Sequence, residues 1–539
     1  MTNRSFKTGV SRDQLSLLPA RTEDYVGSDN PVRAIEAYVC ALDRAKLGLG
    51  HAGRGGGAGQ PAYDPADLLK LYLYGYLNRI RSSRRLEREA QRNLDLIWLL
   101  KGLAPGYRTI GNFRKDNWAA LKAANRDFVV LMQELDLLSG ELVAIDGAFF
   151  HGDASKASIA TGKRLAERLA ALDRDIEAHG KAIEANDAAE EVRSAGGDDR
   201  GDRDGGGVAQ KLAALLAKRA TAQADLDRLE KSGETQLSKT DADARLLTKN
   251  GQTVAGYNVQ IGVDEKHKLI VASEVVNDGN DTGQLYTMAK AAKEALGAET
   301  LTVVADTGYY NGETLKRCEQ DGIVAYVAQA DHTGRLAAQG RFSHEAFVYD
   351  ATENIYRCPA GALLRPTPGR KRNGNRIETR YVSRKATCDA CPLRRRCVTA
   401  KQPTRTIYRW EHEAVIERHR ARMTQAGALM RRRSGLAEHP FGTLKCRAGY
   451  RHFLVRGFDK VRGEWSLMAL CYNFSRVLSI LGFDRFIDIL ARRANKPMTL
   501  PVLSAATAAA GRIRAATKRI WVALSQKSAT IRLCFNPVV

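Results

Sequence analysis

Leu142-Val143-Ala144-Ile145-Asp146 and Leu301-Thr302-Val303-Val304-Ala305-Asp306 each run through a short apolar stretch and end on an acid. A buried strand that ends this way puts its carboxylate at the rim of a sheet, where backbone and solvent meet. A third acid, Glu438, lies far downstream among Arg431, Arg432, Arg433 and Lys445. Three carboxylates gathered in space make a site for hard divalent cations that prefer oxygen ligands. The chain's 539 residues hold 84 Lys+Arg against 61 Asp+Glu, a formal net charge of +23. A carboxylate metal site on so basic a chain reads as an enzyme acting on a polyanion, with nucleic acid as the expected substrate.

The charge is uneven. Ser155 to Thr235 holds 14 basic and 16 acidic residues, whereas Arg405 to Arg462 holds 14 basic and 5 acidic residues around Glu438. The positive field is thus concentrated near one of the candidate acids. Met1 to Pro19 has no apolar core of the kind a signal peptide needs. Ser466 to Phe483, the most apolar long stretch, is interrupted by Asn473 and Arg476. The expectation is a soluble, cytoplasmic, nucleoid-associated protein with no membrane partner. Nine cysteines are an odd number, and five of them (Cys40, Cys318, Cys446, Cys471 and Cys534) are scattered, which fits reduced thiols better than a disulfide framework.

The length suggests two to four domains. Residues 1–139 read as a helical DNA-binding domain. Asp64-Pro65-Ala66-Asp67 is a helix start, with a capping acid and Pro at the first turn. Leu68, Leu69, Leu71, Tyr72 and Tyr76 then give an apolar face. A second helix is expected from Arg84 to Leu100, where Arg84, Arg85, Arg88 and Arg92 make a basic stripe suited to DNA. A third is expected from Ile110 to Leu138. The alternative for the stripe is a solvated face on a structural bundle.

Residues 140–154 hold the first strand, closed by Asp146. Residues 155–240 read as a helical hairpin insertion with a flexible tip at 194–207. In 241–330, Tyr257 to Asp264 alternates as a strand, Glu265-Lys266-His267 turns, and Lys268 to Val275 returns. A helix from Gly283 to Leu296, the strand ending at Asp306, a helix from Gly312 to Gln320 and the strand Ile323 to Val327 follow. Without the insertion, the order is strand, hairpin, helix, strand, helix, strand. That is the order of an α/β, ribonuclease H-like mixed-sheet core. Residues 331–404 read as a basic, cysteine-rich insertion, 405–484 as the core's C-terminal helices with Glu438, and 485–539 as a basic tail. Leu467, Cys471, Phe474, Val477, Leu478 and Leu481 recur at helical spacing and read as a core helix without a cofactor role.

Cys358, Cys388, Cys391 and Cys397 could complete a tetrahedral structural zinc site, of which only the Cys388/Cys391 pair has diagnostic spacing. Unligated thiols in a basic loop are the alternative. Asp264 and Asp243 also merit weighing as site acids; a hairpin turn suffices to explain Asp264.

Five phrases together resemble one family: Tyr72 to Glu87, Ala144-Ile145-Asp146-Gly147, Gly256-Tyr257-Asn258-Val259-Gln260, Ala305-Asp306-Thr307-Gly308-Tyr309-Tyr310, and Glu438 to Lys445. The chain is similar to bacterial insertion-sequence transposases of the DDE type. The branch concerned has an N-terminal helical domain, a helical insertion after the first acid and a cysteine cluster before the last. The resemblance runs from about Gln14 to Gly482. It implies that Asp146, Asp306 and Glu438 hold Mg²⁺ or Mn²⁺ and are catalytic, with Arg431 and Lys445 orienting phosphate. It implies double-stranded DNA as partner, at the element ends and the target, with a dimer or larger assembly on DNA. In the spaced helical signature of relatives, Ser434 and Arg431 stand four and seven residues before Glu438, a departure from the family's pattern. Arg431, Glu438 and Lys445 would share one helix face, but Pro440 and Gly442 predict a kink or a late helix start. A catalytically silent, domesticated DNA-binding protein and a ribonuclease H-like nuclease without strand transfer are the rival functions.

Overall fold

The computed structural model describes residues 21–49, 62–194, 205–249, 251–329, 333–374, 376–399 and 402–494. Its N-terminal part is helical: α1 (Pro31–Cys40), α2 (Pro65–Leu77), α3 (Ser83–Arg92), α4 (Leu94–Leu99), α5 (Tyr107–Asp116) and α6 (Trp118–Glu134). Asp64 caps α2 by accepting from the Ala66 N–H at 2.8 Å, as its sequence predicts. The expected apolar face is a full circumference, because Ala66 to Tyr76 are almost all buried; even Lys70 is enclosed by Glu36 and Asp67. Two expected helices each divide in two. Asn93 turns extended and caps the Leu96 N–H, separating α3 from α4. Asn117 leaves helical geometry between α5 and α6. Both breaks fall on asparagine, whose side chain competes locally for backbone bonds.

Next come β1 (Leu142–His151), β2 (Ile159–Thr161), the long helices α7 (Gly162–Ser194) and α8 (Gly205–Ser232), and β3 (Gln236–Ser238), which pairs with β2. The hairpin's tip lies largely outside the described residues. β4 (Arg245–Lys249), β5 (Gln252–Asp264), β6 (Ile270–Val276), α9 (Gln284–Leu296), β7 (Leu301–Ala305), α10 (Gly312–Gln320) and β8 (Ile323–Val327) complete the main sheet. β6 and β4 share one edge of β5, and β1, β7 and β8 follow on its other side. β5 runs antiparallel to β1, and β7 and β8 run parallel to it. The fold is mixed α/β. One expectation is corrected: Asp146 does not close its strand. β1 continues to His151 because Gly147 to His151 pair with Gly256 to Gln260 of β5.

After α11 (Thr333–Ala338), a second, antiparallel sheet holds β9 (Val348–Asp350), β10 (Ile355–Arg357), β11 (Leu363–Asn373), β12 (Arg376–Val382) and β13 (Thr406–Trp410). The short helices α12 (Lys385–Asp389) and α13 (Arg394–Cys397) precede β13. α14 (Glu413–Met423) leads to α15 (Gly427–Gly442), which runs straight through Glu438 and into a π turn at Thr443–Arg447. The helix therefore starts well before Glu438, so of the two expectations the late start is not met, and the irregularity expected at Pro440 and Gly442 takes the form of the π turn. Pro440 lies inside it and leaves the Leu436 carbonyl without its helical donor, and the wider π turn follows directly.

α16 (Phe458–Leu481) is the central core helix, and α17 (Phe483–Ala494) extends into the segment expected as a tail because Phe486 and Leu490 are buried. Gly463 lets α6 approach α16, since a Cβ there would lie 2.6 Å from the Trp118 Cβ. The N-terminal helices and the main sheet thus share one apolar core. Within it the fully buried Glu464 accepts from the Tyr76 hydroxyl and the Leu454 N–H, each at 2.8 Å, and faces Arg114 at 3.5 Å. Among the described residues no single helix is long and apolar enough to cross a membrane; α16 and α17 pass only as a pair bent by 114°.

Glu464→Ala should cost about 3–5 kcal/mol, the loss typical when one partner of a buried ionic group is removed. Denaturant unfolding measures it, and a cost under about 1 kcal/mol would contradict the role given to Glu464. His419 gives a pH signature. It is buried, its Nε2 accepts from the Val327 N–H, and burial pushes its pKa down from 6.5 to about 4, with Arg422 and Arg420 assisting. Between pH 6.5 and about 4 the unfolded chain binds a proton that the folded chain refuses, so stability falls as pH falls through that window. His419→Gln should flatten this part of the Tm profile; an unchanged slope would remove His419 as its source.

Candidate active site

Ala144 of β1 stands opposite Val304 of β7, so two residues further on Asp146 and Asp306 reach the same level. Alternation puts Asp146 on the face of Ala144 and Asp306 on the face of Val304. That face is covered by α15, because Ala144 and Val304 pack with Leu142, Leu436 and Ala437 in one small apolar cluster. Glu438 follows Ala437 on α15, the helix that covers this face, and its own side chain is exposed. Burial pushes the Asp146 carboxyl above its ordinary range and the Asp306 charge adds to this; the Gly147 N–H, Arg433 and Lys249 oppose it. Two aspartates under mutual repulsion offer the hard oxygen donors that Mg²⁺ or Mn²⁺ takes. Glu438 is exposed and its Oε1 accepts from Ser434 Oγ, one turn back, at 2.8 Å. That bond engages only one of the two carboxylate oxygens. Among the described residues, no group of three or more His, Cys, Asp or Glu is arranged to hold a metal ion.

The basic candidates divide. Arg84, Arg85 and Arg88 are exposed on α3, opposite the buried Leu86, Glu89 and Ala90. Arg431 and Arg432 are exposed and Arg433 is half-buried; Arg432 pairs with Glu265. Lys445, in the π turn, reaches under β1. Its Nζ donates to the Phe149 carbonyl at 2.7 Å and lies 4.4 Å from the centre of the Phe150 ring. Burial is the main cause that pushes its pKa down to about 8. The decoy acids are structural: Asp264 accepts from the N–H groups of Ser139, Gly140 and Lys266, and Asp243 from that of Phe458.

Cys358, Cys388, Cys391 and Cys397 line one cavity of about 30 Å³, with Leu364 and Val398 in its wall. The Cys388 sulfur and the Ser383 hydroxyl share a hydrogen bond at 2.7 Å. Burial, and the nearness of the other three thiols, push the Cys397 pKa up, with Arg405 opposing. The four cysteines of the predicted zinc set thus border one small space, without the arrangement of a formed metal site.

Sequence reasoning missed Asn258, Gln260, Asp281, Tyr309 and Lys249, which meet behind Asp146. The available signal was the pair of polar residues, Asn258 and Gln260, alternating within an otherwise apolar strand.

A family model described as "Transposase DDE domain" matches residues 357–478, which include Glu438. A second, described as "Transposase domain (DUF772)", matches residues 20–116, which include α3. No curated protein matches. A solved structure described as a piggyBac transposase synaptic complex with hairpin DNA is similar at 9% identity, covering 88% of this chain and 83% of that one, with a TM-score of 0.31. A likeness at that level is too distant to speak for a shared fold.

Gly147 is pressed against its neighbours: a Cβ there would overlap the Gln260 amide and lie 2.8 Å from Asp281 Oδ1. Gly147→Ala should therefore destabilise the chain by about 1–3 kcal/mol, the usual cost of overpacking. An unchanged Tm would show that the network yields freely.

Proposed function

We infer, from the premise that this chain belongs to the DDE-type transposases of insertion sequences, that Asp146, Asp306 and Glu438 form its catalytic, metal-holding triad. The observation that carries this is the β1–β7 register, with α15 packed over Ala144 and Val304. As a DNA transposase the chain cleaves and transfers DNA strands. The finer proposal is cutting at terminal inverted repeats followed by joining to target DNA. The sheet order β6-β5-β1-β7-β8, with one antiparallel member between its neighbours, supports a ribonuclease H-like core. That core would comprise 140–154, 241–330 and 405–484, with the hairpin of 155–240 and the basic sheet of 331–404 as insertions.

Asp146 and Asp306 would hold Mg²⁺ or Mn²⁺ from adjacent strands, and Glu438 would join them from α15. Bound there, the metal supplies an activated oxygen nucleophile, from water or a 3′-hydroxyl, and relief of charge on the leaving oxygen. Arg433, close enough to act on the Asp146 charge, would meet the scissile phosphate. Lys445 would act on the site by bracing β1 at Phe149, which differs from the direct phosphate contact expected of it. The four cysteines would take a structural Zn²⁺ that staples the basic insertion. Exposed Arg84, Arg85 and Arg88 would contact duplex DNA, and a dimer or larger assembly would form on paired ends.

The test is cleavage and joining of a labelled terminal-repeat duplex with Mg²⁺ or Mn²⁺. Replacing any triad acid by Ala should lower turnover by orders of magnitude with little loss of DNA binding. Parental cleavage by Asp306→Ala would remove the metal assignment. Cleavage without joining would favour a nuclease, and binding without either a silent DNA-binding protein.

Salt gives a second measurement. Log affinity against log salt should fall with a slope of about −0.9 for every phosphate neutralised. Replacing Arg84, Arg85 and Arg88 together by Ala should flatten that slope by about 0.9 for each phosphate these side chains neutralise. Fluorescence anisotropy at several salt concentrations reads it, and an unchanged slope would take α3 off the DNA. Substitution is preferable to deleting residues 1–138, which would strip the shared core.

A further inference from the structure

Behind Asp146, on the face away from α15, a fourth acid closes a network of side chains. Asp281 lies just ahead of α9 and is 6% exposed. Its Oδ1 accepts from Asn258 Nδ2 at 2.8 Å and from Gln260 Nε2 at 2.7 Å, and its Oδ2 faces Lys249 Nζ at 3.4 Å. Gln260 Oε1 in turn accepts from the Tyr309 hydroxyl. Gln260 stands opposite Gly147 in the β1–β5 pairing, and the network abuts that glycine. At the other acid, a Cβ on Gly308 would lie 3.1 Å from Asp306 Oδ1 and 3.7 Å from Asp281 Oδ2. The network therefore touches the residue after Asp146 and the turn after Asp306. The fully buried Tyr309 sits in the combined field of Asp281, Asp146 and Asp306.

We propose that Asp281 is a positioning residue: through Asn258, Gln260 and Tyr309 it fixes the spacing of the Asp146 and Asp306 carboxylates, with Lys249 as its counter-ion. This rests on the metal-holding role given above to Asp146 and Asp306. The physical reason for an acid at 281 is that two buried amide N–H groups converge on one oxygen. A residue without that oxygen would leave both unsatisfied and free to turn. Once Asp281 orients Gln260, its carbonyl end is left for Tyr309, and the turn carrying Asp306 is tied to β1. Lys249 has the opposite electrostatic effect. Its ammonium balances Asp281 in the absence of other cations, and it repels a dication arriving at the neighbouring pair.

The experiment measures binding of Mn²⁺ alone to the full chain, from the free-ion electron paramagnetic resonance signal, with Tm recorded for every variant. Asp281→Ala should weaken Mn²⁺ binding about tenfold, the scale of outer residues that orient metal ligands. Asp281→Asn, which keeps one acceptor oxygen, should recover part of the loss. Tyr309→Phe should weaken binding a few-fold, whereas Lys249→Met should tighten it. A merely structural role would move all of these in one direction. Should Asp281→Ala fail to fold, the opposite signs of Tyr309→Phe and Lys249→Met decide. Parental affinity in a folded Asp281→Ala, or weakening by Lys249→Met, overturns the proposal. Asp306→Ala separates the two levels. If it binds Mn²⁺ like the parent, the underlying metal reading fails. If it loses Mn²⁺ while Asp281→Ala does not, only the positioning role falls.

Discussion

The parallel pairing of Leu142, Val143 and Ala144 with Thr302, Val303 and Val304 is the constraint on which the candidate site depends. Side chains alternate along a strand, so a slip of one residue between β1 and β7 would send Asp306 to the face of α9 and leave Asp146 on that of α15. The register is held from both faces. On one, Ala144 and Val304 are small enough to admit Leu436 and Ala437 of α15. On the other, Gly262 leaves room for Val143 and for Ala292 of α9, each 3.3–3.7 Å from where its Cβ would stand. Small residues at these positions let helices approach closely, and close approach penalises any shift.

The site is a compromise between burial and charge. Asp146 sits in a partly desolvated place that disfavours its ionised form, and the next acid along the sheet rim makes this worse. Nearby cations offset the cost. Arg433 comes from α15, Lys249 from β4, and Lys445 lies under β1 with its ammonium on a backbone carbonyl. These charges come from two separate parts of the chain, β4 and the continuous run of α15 and its π turn.

Much of this was legible in the sequence, for identifiable reasons. The strands at 301 and 323 match their short, continuous apolar runs, one ending before Asp306 and the other starting after Gly322, and the polar helix at 312 fills the stretch between them. The acids at 146 and 306 stood out for the same reason. The extension of β1 to His151 did not, since it depends on β5, more than a hundred residues away in the chain, supplying partners for Gly147 to His151. The breaks at Asn93 and Asn117 were hidden by helical periodicity that continues across them. The network around Asp281 was hidden for a different reason: its members come from β4, β5, the approach to α9 and the turn after β7. Only Asn258 and Gln260 carry a local signal, being polar where the strand pattern calls for apolar residues.

Glu464 has a consequence for how the chain could handle DNA. It bonds α2 through Tyr76 and the loop before α16 through Leu454, and it faces Arg114 of α5, all inside one continuous core. Leu86 and Ala90 set α3, the helix that carries the exposed Arg84, Arg85 and Arg88, in that same core with the strands that carry Asp146 and Asp306. With α3 on the duplex and the acids at the scissile bond, as proposed above, that core would set the span between them like a ruler. Spacing between the two on the DNA would be read as strictly as the bases themselves.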